Sequence, residues 1–159
     1  MANEQLKQLI KQGLTALKAG SKVAAGATSE IQNDAHNPEL KAMLEKGNHT
    51  SQEWSARIDQ ALEEAGGGEE QQNPILEAHY EVSQKIRQQA PDDYTRDLGI
   101  IAAGQLALHY WIASFGTLRT YAEQAGLSQT AEHLQTSLDE AKQADEQHNK
   151  IAKQIMGVA

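Results

Sequence analysis

Apolar residues return every three or four positions along almost the whole chain, the spacing of one face of an α-helix. Leu6, Ile10, Leu14, Leu17, Ala24 and Ile31 form a first stripe, with Ser21 and Thr28 filling its gaps. Leu40, Leu44, Gly47, Ser51, Trp54, Ile58 and Leu62 form a second, and Ile75, His79, Val82 and Ile86 a short third. Leu98, Ile101, Gln105, Leu108, Ile112 and Phe115 form a fourth. A fifth runs from Leu127 through Ala131, Leu134, Leu138, Ala141, Asp145, His148 and Ala152 to Ile155. The stripes predict long helices near 3–32, 38–65, 93–124 and 128–156, and a shorter one near 74–89. Breakers fall between them. Pro38, Pro74 and Pro91 suit first turns or the residues just before them, and Asp92 and Asp93 favour a helix N-terminus. Gly66, Gly67 and Gly68 mark a flexible connection, Gly126 a helix end, and Ser128 a candidate N-cap.

Tight turns at 33–37 and 125–127 make antiparallel pairs of the first two and the last two long helices. The roughly 28 residues from 66 to 93 can run the length of a bundle, at about 1.5 Å per residue where helical. The expected fold is all-α: one domain over residues 1–159, a four-helix bundle whose long crossover carries a short extra helix, as in ferritin-like folds. Periodicity alone also permits an up-down-up-down bundle.

Composition narrows the class. The 159 residues include 24 Ala but only 3 Val and 7 aromatics, too few β-branched and aromatic side chains for a sheet. So much alanine suits closely approaching helices. Lys and Arg number 14 against 22 Asp and Glu, a net charge of −8, which argues against nucleic acid and against an anionic membrane surface as partners. No apolar stretch approaches the ~20 residues of a membrane span. The first residues lack a basic region followed by an apolar core, so no secretory leader is expected. The absence of Cys excludes disulfide scaffolds, thiol catalysis and Cys-ligated metals.

Candidate chemistry is sparse. The polar residues on inner stripes are Ser21, Thr28, Ser51, Gln105, Asp145 and His148, with His79 on the short helix and His49 and His109 at the flanks. Asp145-x-x-His148 and Glu45-x-x-x-His49 each place a carboxylate and an imidazole on one helix face. Such pairs more often make surface hydrogen bonds than metal sites. The His79-Tyr80 and Tyr110-Trp111 pairs read as amphipathic interface residues, and Glu63-Glu64 and Glu69-Glu70 as solvated ends. The chain has no Gly-rich phosphate loop, no Gly-x-Ser-x-Gly elbow and no His-Glu-x-x-His.

One stretch adds to this. Arg96-Asp97-Leu98-Gly99-Ile100-Ile101-Ala102-Ala103-Gly104-Gln105 runs into Leu106-Ala107-Leu108-His109-Tyr110-Trp111-Ile112-Ala113-Ser114-Phe115-Gly116-Thr117-Leu118. It resembles the third long helix of the bacterial YciE/YciF ferritin-like family. Asn37-Pro38-Glu39-Leu40-Lys41 resembles that family's entry to its second helix, and Leu134 to Asp145 its last helix. The likeness covers about residues 37–156, with a weaker extension through the first helix. It implies a ferritin-like bundle, a carboxylate-rich dinuclear iron or manganese site, a role in bacterial stress, a cytoplasmic location and a homodimer.

Transferred position by position, the family's ligands are mostly replaced. The first-helix Glu falls on Ser21, and the second-helix carboxylates on His49 and Thr50. The Glu before His-Tyr falls on Leu108 and the one after it on Trp111, while His109 is kept. In the last helix Glu140 and Asp145 are kept and the neighbour of Glu140 is Ala141. Glu81 stands near the acidic position of the short helix. Any metal would therefore fall to His49, His109, Glu140, Asp145 and His148. The expected function is a bundle without its dinuclear site, hence without a cofactor, that acts by binding or assembly. The alternatives are a ferroxidase-type or dimanganese protein with an unusual ligand set, and a lipid or small-molecule carrier. Small residues at Ser21 and Ala141 leave room for Trp111 or a small apolar ligand. Trp54, Tyr80, Tyr110 and Trp111 give more aromatic surface than a small core needs, which points to self-association.

Overall fold

The structure, a computed structural model, describes residues 2–69 and 71–159. Glu70, assigned above to a solvated loop, lies outside the described residues. Five helices follow in order: α1 (Ala2–Asp34), α2 (Pro38–Glu64), α3 (Pro74–Gln89), α4 (Asp93–Gln124) and α5 (Ser128–Met156). Their starts are written locally. Asn37 Oδ1 accepts the amides of Glu39 and Leu40, Asn73 Oδ1 that of Leu76, and Asp92 Oδ1 that of Thr95. Each side chain satisfies amides that the first helical turn leaves unpaired.

The start of α5 differs from expectation. Its cap position is Leu127, not Ser128, and supplies no side-chain acceptor. Glu64, at the end of α2, does so from across the bundle. Its carboxylate accepts from Thr130 N at 2.5 Å, Thr130 Oγ1 at 2.6 Å and Gln129 N at 3.3 Å. Burial alone would push this carboxyl up, but the bonds from Thr130 outweigh it and hold the group below its ordinary value. Glu64 is therefore a cap for another helix and not a solvated end.

α1 packs on α2, α2 on α5, α5 on α4, and α4 back on α1, with α3 lying along α1 and α4. Directions follow from the contacts. Trp54 meets Glu140 and Glu64 meets Thr130, so α2 and α5 are antiparallel. Gly20 faces Trp111, and the amide of His36 meets Asp97, so α1 and α4 are antiparallel as well. α2 and α4 thus run the same way, which the up-down-up-down alternative cannot give. α3 returns the chain along α1, with Leu76 against Gly20 and Arg87 Nε on Asp34 at 2.8 Å. The result is the ferritin-like bundle with one long crossover.

α4 buries more than the single stripe predicted for it. Asp97, Ile100, Ala103, Ala107, Leu108, Trp111, Phe115 and Leu118 are all buried, whereas Gln105 and Ile112 are only half-buried. The cause is that α4 is packed by α1, α3 and α5 together. The same apolarity makes α4 long and apolar enough to cross a membrane by length and composition, contrary to the expectation that no stretch comes close. Asp97 is 2% exposed and accepts the amides of His36 and Asn37, both at 2.8 Å, tying the start of α4 to the α1–α2 turn.

Apolar packing falls into two clusters. One runs through the body of the bundle and includes Leu14, Trp54, Leu76, Trp111, Phe115 and Leu134. The other, at the end holding the α1–α2 turn, gathers Ala35, Leu40, Ile100, Ile101 and Ile151. The core is interrupted between them.

Candidate functional site

At that interruption a cleft of about 570 Å³ opens among the helices. Ile31, Met43, Leu44 and Ile100 line it from the smaller cluster, and Trp54, Leu108 and Trp111 from the larger one. Gly47, Ser51, Gly104, Ala107 and Ala144 line it with little or no side chain, which is why the walls stand apart. His79, Tyr80 and Ser83 reach it from α3, and Glu140 and His148 from α5.

The floor is aromatic. Trp54 and Trp111, from the diagonal helices α2 and α4, have ring centroids 5.9 Å apart and tilted by 54°. Phe115 stacks on Trp111 at 5.4 Å and meets Trp54 edge-on at 5.3 Å. Both tryptophans are 5% exposed. They are core residues, which removes the argument that they mark a surface for self-association; Tyr80 and Tyr110 are half-buried against the same core. The space expected beside Ser21 and Ala141 is not the cleft. Ala141 is fully buried in the core, Ser21 is half-buried, and neither lines the cleft.

Glu140 is the retained carboxylate at this level, and it is already engaged. Arg57 holds both of its oxygens, at 2.8 and 2.9 Å, and Trp54 Nε1 donates to it at 2.8 Å. Arg57 Nη1 also reaches Ser137 Oγ at 3.2 Å. The bonds from Arg57, then that from Trp54, hold the Glu140 carboxyl below its ordinary value against the opposing effect of burial. The bond to Glu140 likewise raises the Arg57 guanidinium. Sequence reasoning missed Arg57. The available signal was its place three residues after Trp54, on the flank of the same stripe, but its partner is fixed only by α2 lying against α5.

The five candidate ligands fall in three places. His49 lies on the exposed outer face of α2, in a shallow dent with Glu45 and Glu53. His109 is exposed on α4, and its Nε2 lies 3.1 Å from Asp145 Oδ2; Gln105 Nε2 adds a long contact to Asp145 Oδ1 at 3.4 Å. Glu140 and His148 line the cleft. No group of three or more His, Asp or Glu able to hold a metal ion is found among the described residues. Glu81 is exposed on α3.

The two imidazoles of the cleft are held toward neutrality. Burial lowers His148, against a hydrogen bond with the Ala144 carbonyl and the charge of Asp145, and burial lowers His79. Burial pushes the Tyr80 phenol up to about 12. The site is thus an apolar, aromatic-floored cleft whose one adjacent ion pair is internally neutralised.

Residues 5–158 match DUF892, a domain of unknown function. The chain belongs to this family, that of YciE and YciF. Protein YciF of Escherichia coli K12 is 39% identical over 70 residues, which span 44% of this chain and 42% of that protein. In sequence, then, the match covers less than half of the curated relative. In structure it covers nearly all. The crystal structure of the E. coli stress protein YciF superimposes with a TM-score of 0.91 at 25% identity, over 96% of this chain and 97% of that one. A protein from Xanthomonas campestris shares the fold, with a TM-score of 0.73 at 21% identity over 95% and 93% of the two chains.

Proposed function

We propose that this member of the YciE/YciF family is a stress-associated bundle that has lost its dinuclear metal centre and acts by binding. The observation that supports this is the state of Glu140. A dinuclear iron or manganese site needs several hard oxygen ligands to balance two divalent cations. At the positions transferred from the family, Ser21, Leu108, Trp111 and Ala141 offer no carboxylate, and the retained Glu140, which borders the cleft, is occupied by Arg57 and Trp54. This donor set does not fit such a centre. An arginine supplies the positive charge that metal ions would otherwise supply, and an aromatic trio fills the interior. The stress role is that of the relative YciF. The cytoplasmic location and the homodimer rest on the family resemblance alone, now that both tryptophans are assigned to the core.

Loading the purified chain separately with Fe(II), Mn(II) and Zn(II), then desalting and measuring metal, tests this. The expected result is no stoichiometric metal and no gain in Fe(II) oxidation over buffer. About two metals per chain with accelerated Fe(II) oxidation, as a two-metal site requires, would overturn it.

A further inference from the structure

One ring nitrogen of the cleft-lining His148 has no hydrogen-bond partner among the described residues. His148 is 9% exposed, and its Nδ1 donates to the Ala144 carbonyl at 2.7 Å. A carbonyl only accepts, so Nδ1 carries the imidazole proton and Nε2 carries the lone pair. Nε2 lies against Gly104, where a Cβ would come within 2.7 Å. Among the described residues no donor bonds to it. Nε2 is not sealed from solvent, so a donor on a bound molecule would take the place of water there.

We propose that the cleft binds an uncharged aromatic molecule with one hydrogen-bond donor, a phenol or an indole-type N–H, its ring on the tryptophan floor and its donor on His148 Nε2. The proposal rests on the binding reading above. The volume of about 570 Å³ lies within the range of small-molecule sites. Trp54 and Trp111 offer tilted rings that favour an aromatic over an aliphatic body. Leu108, Ile100 and Met43 complete an apolar enclosure. Charge on the ligand would find no counterpart inside, because Glu140 is already paired with Arg57. The free charges that line the cleft, Lys46, Glu146 and Lys150, are exposed and carry both signs, so they select neither an anion nor a cation.

Both tryptophans of the chain line the cleft, so their fluorescence reports occupancy. Metal-free protein is titrated with 2-naphthol, with 2-methoxynaphthalene, which lacks the donor, and with 2-naphthoate, which is charged. Saturable quenching by 2-naphthol is expected, with the other two binding about tenfold or more weakly, the scale of one hydrogen bond or one buried charge. In His148→Met the preference for 2-naphthol over 2-methoxynaphthalene should vanish. Gly47→Leu is the second variant. Gly47 lines the cleft at its exposed edge and a Cβ there meets nothing within 4 Å, so a leucine is added without strain and should narrow the entrance. The variant should keep the helical circular dichroism and bind 2-naphthol more weakly. Absence of saturable quenching in wild type, or 2-naphthol binding by Gly47→Leu at wild-type strength, overturns the ligand site while leaving the metal-free reading intact. Stoichiometric metal in the loading experiment overturns that reading instead.

Discussion

Arg57 grips Glu140 through two guanidinium nitrogens, one to each carboxylate oxygen, at 2.8 and 2.9 Å. The pair joins α2 to α5 beside the aromatic floor, at the level where the family resemblance expects carboxylates to gather around metal. A lone carboxylate there would be costly to bury. Paired with arginine and capped by the Trp54 indole, it becomes a strut between helices. The same pairing leaves no buried charge unpaired in the cleft wall among the described residues, which is the basis for the proposed binding and for the proposed uncharged ligand.

This strut should give the protein an acid-labile share of stability. The folded Glu140 carboxyl sits below its ordinary value. Its contribution is therefore complete above the unfolded pKa and is lost as pH falls through the folded one. Arg57 and Glu140 keep 20% and 27% of their side-chain surface in water, so the pair is worth about 1–2 kcal/mol and not the larger figure of a fully buried pair. Urea unfolding of wild type and Glu140→Gln should differ by about that much at neutral pH, and the gap should close below about pH 4. A gap that stays constant into acid would show that the charge on Glu140 does not matter.

The seat of α3 on α1 depends on a missing side chain. A Cβ at Gly20 would stand 2.7 Å from Leu76 Cδ1 and 2.8 Å from Asn73 Nδ2. Neither neighbour can yield. Leu76 is 1% exposed, and Asn73 Nδ2 is committed to the Ala16 carbonyl at 2.9 Å and the Tyr110 hydroxyl at 2.8 Å. Gly20→Ala should therefore destabilise by about 1–3 kcal/mol despite the better helix former. Gly26, in the same helix with nothing within 4 Å of its Cβ, is the control. Gly26→Ala should stabilise by about 0.5–1 kcal/mol. Thermal unfolding compares them, and faster amide exchange in α3 of Gly20→Ala locates the effect. Equal signs for the two substitutions would refute the packing argument.

The helices were legible because their signals are local. Pro38 and Pro74 open α2 and α3, and Asn37, Asn73 and Asp92 cap the starts of α2, α3 and α4, all within a few residues of sequence. What escaped depends on elements distant in sequence. Glu64 looked solvated because the amides it caps belong to α5, 65 and 66 residues away. In sequence Trp111 reads as an amphipathic interface residue because the fourth stripe passes through Ile112, and only packing on three sides brings Trp111 inward. The cleft does not lie where the sequence suggests room, beside Ser21 and Ala141. Its actual position follows from Gly47, Gly104 and Ala144, small residues on three helices whose alignment no single stripe reveals.

His148 should make the protein less stable in mild acid. Burial depresses the folded imidazole, while the Ala144 carbonyl and the Asp145 charge oppose the shift without cancelling it. The unfolded chain therefore takes up a proton at a pH where the folded chain does not. Stability is unaffected above the unfolded pKa of about 6.5 and declines below it, until the pH passes the folded value. His79 is shifted the same way by burial and adds to the slope. Replacing one imidazole should remove its share alone. In His148→Gln the fall in unfolding free energy between about pH 7 and pH 5 should be shallower than in wild type, and in the double variant with His79→Gln shallower still. Chemical denaturation at pH steps across that window measures the slope. An unchanged slope in the double variant would mean that both imidazoles titrate in the folded protein as they do in the unfolded chain, and that the cleft is wetter than its lining implies.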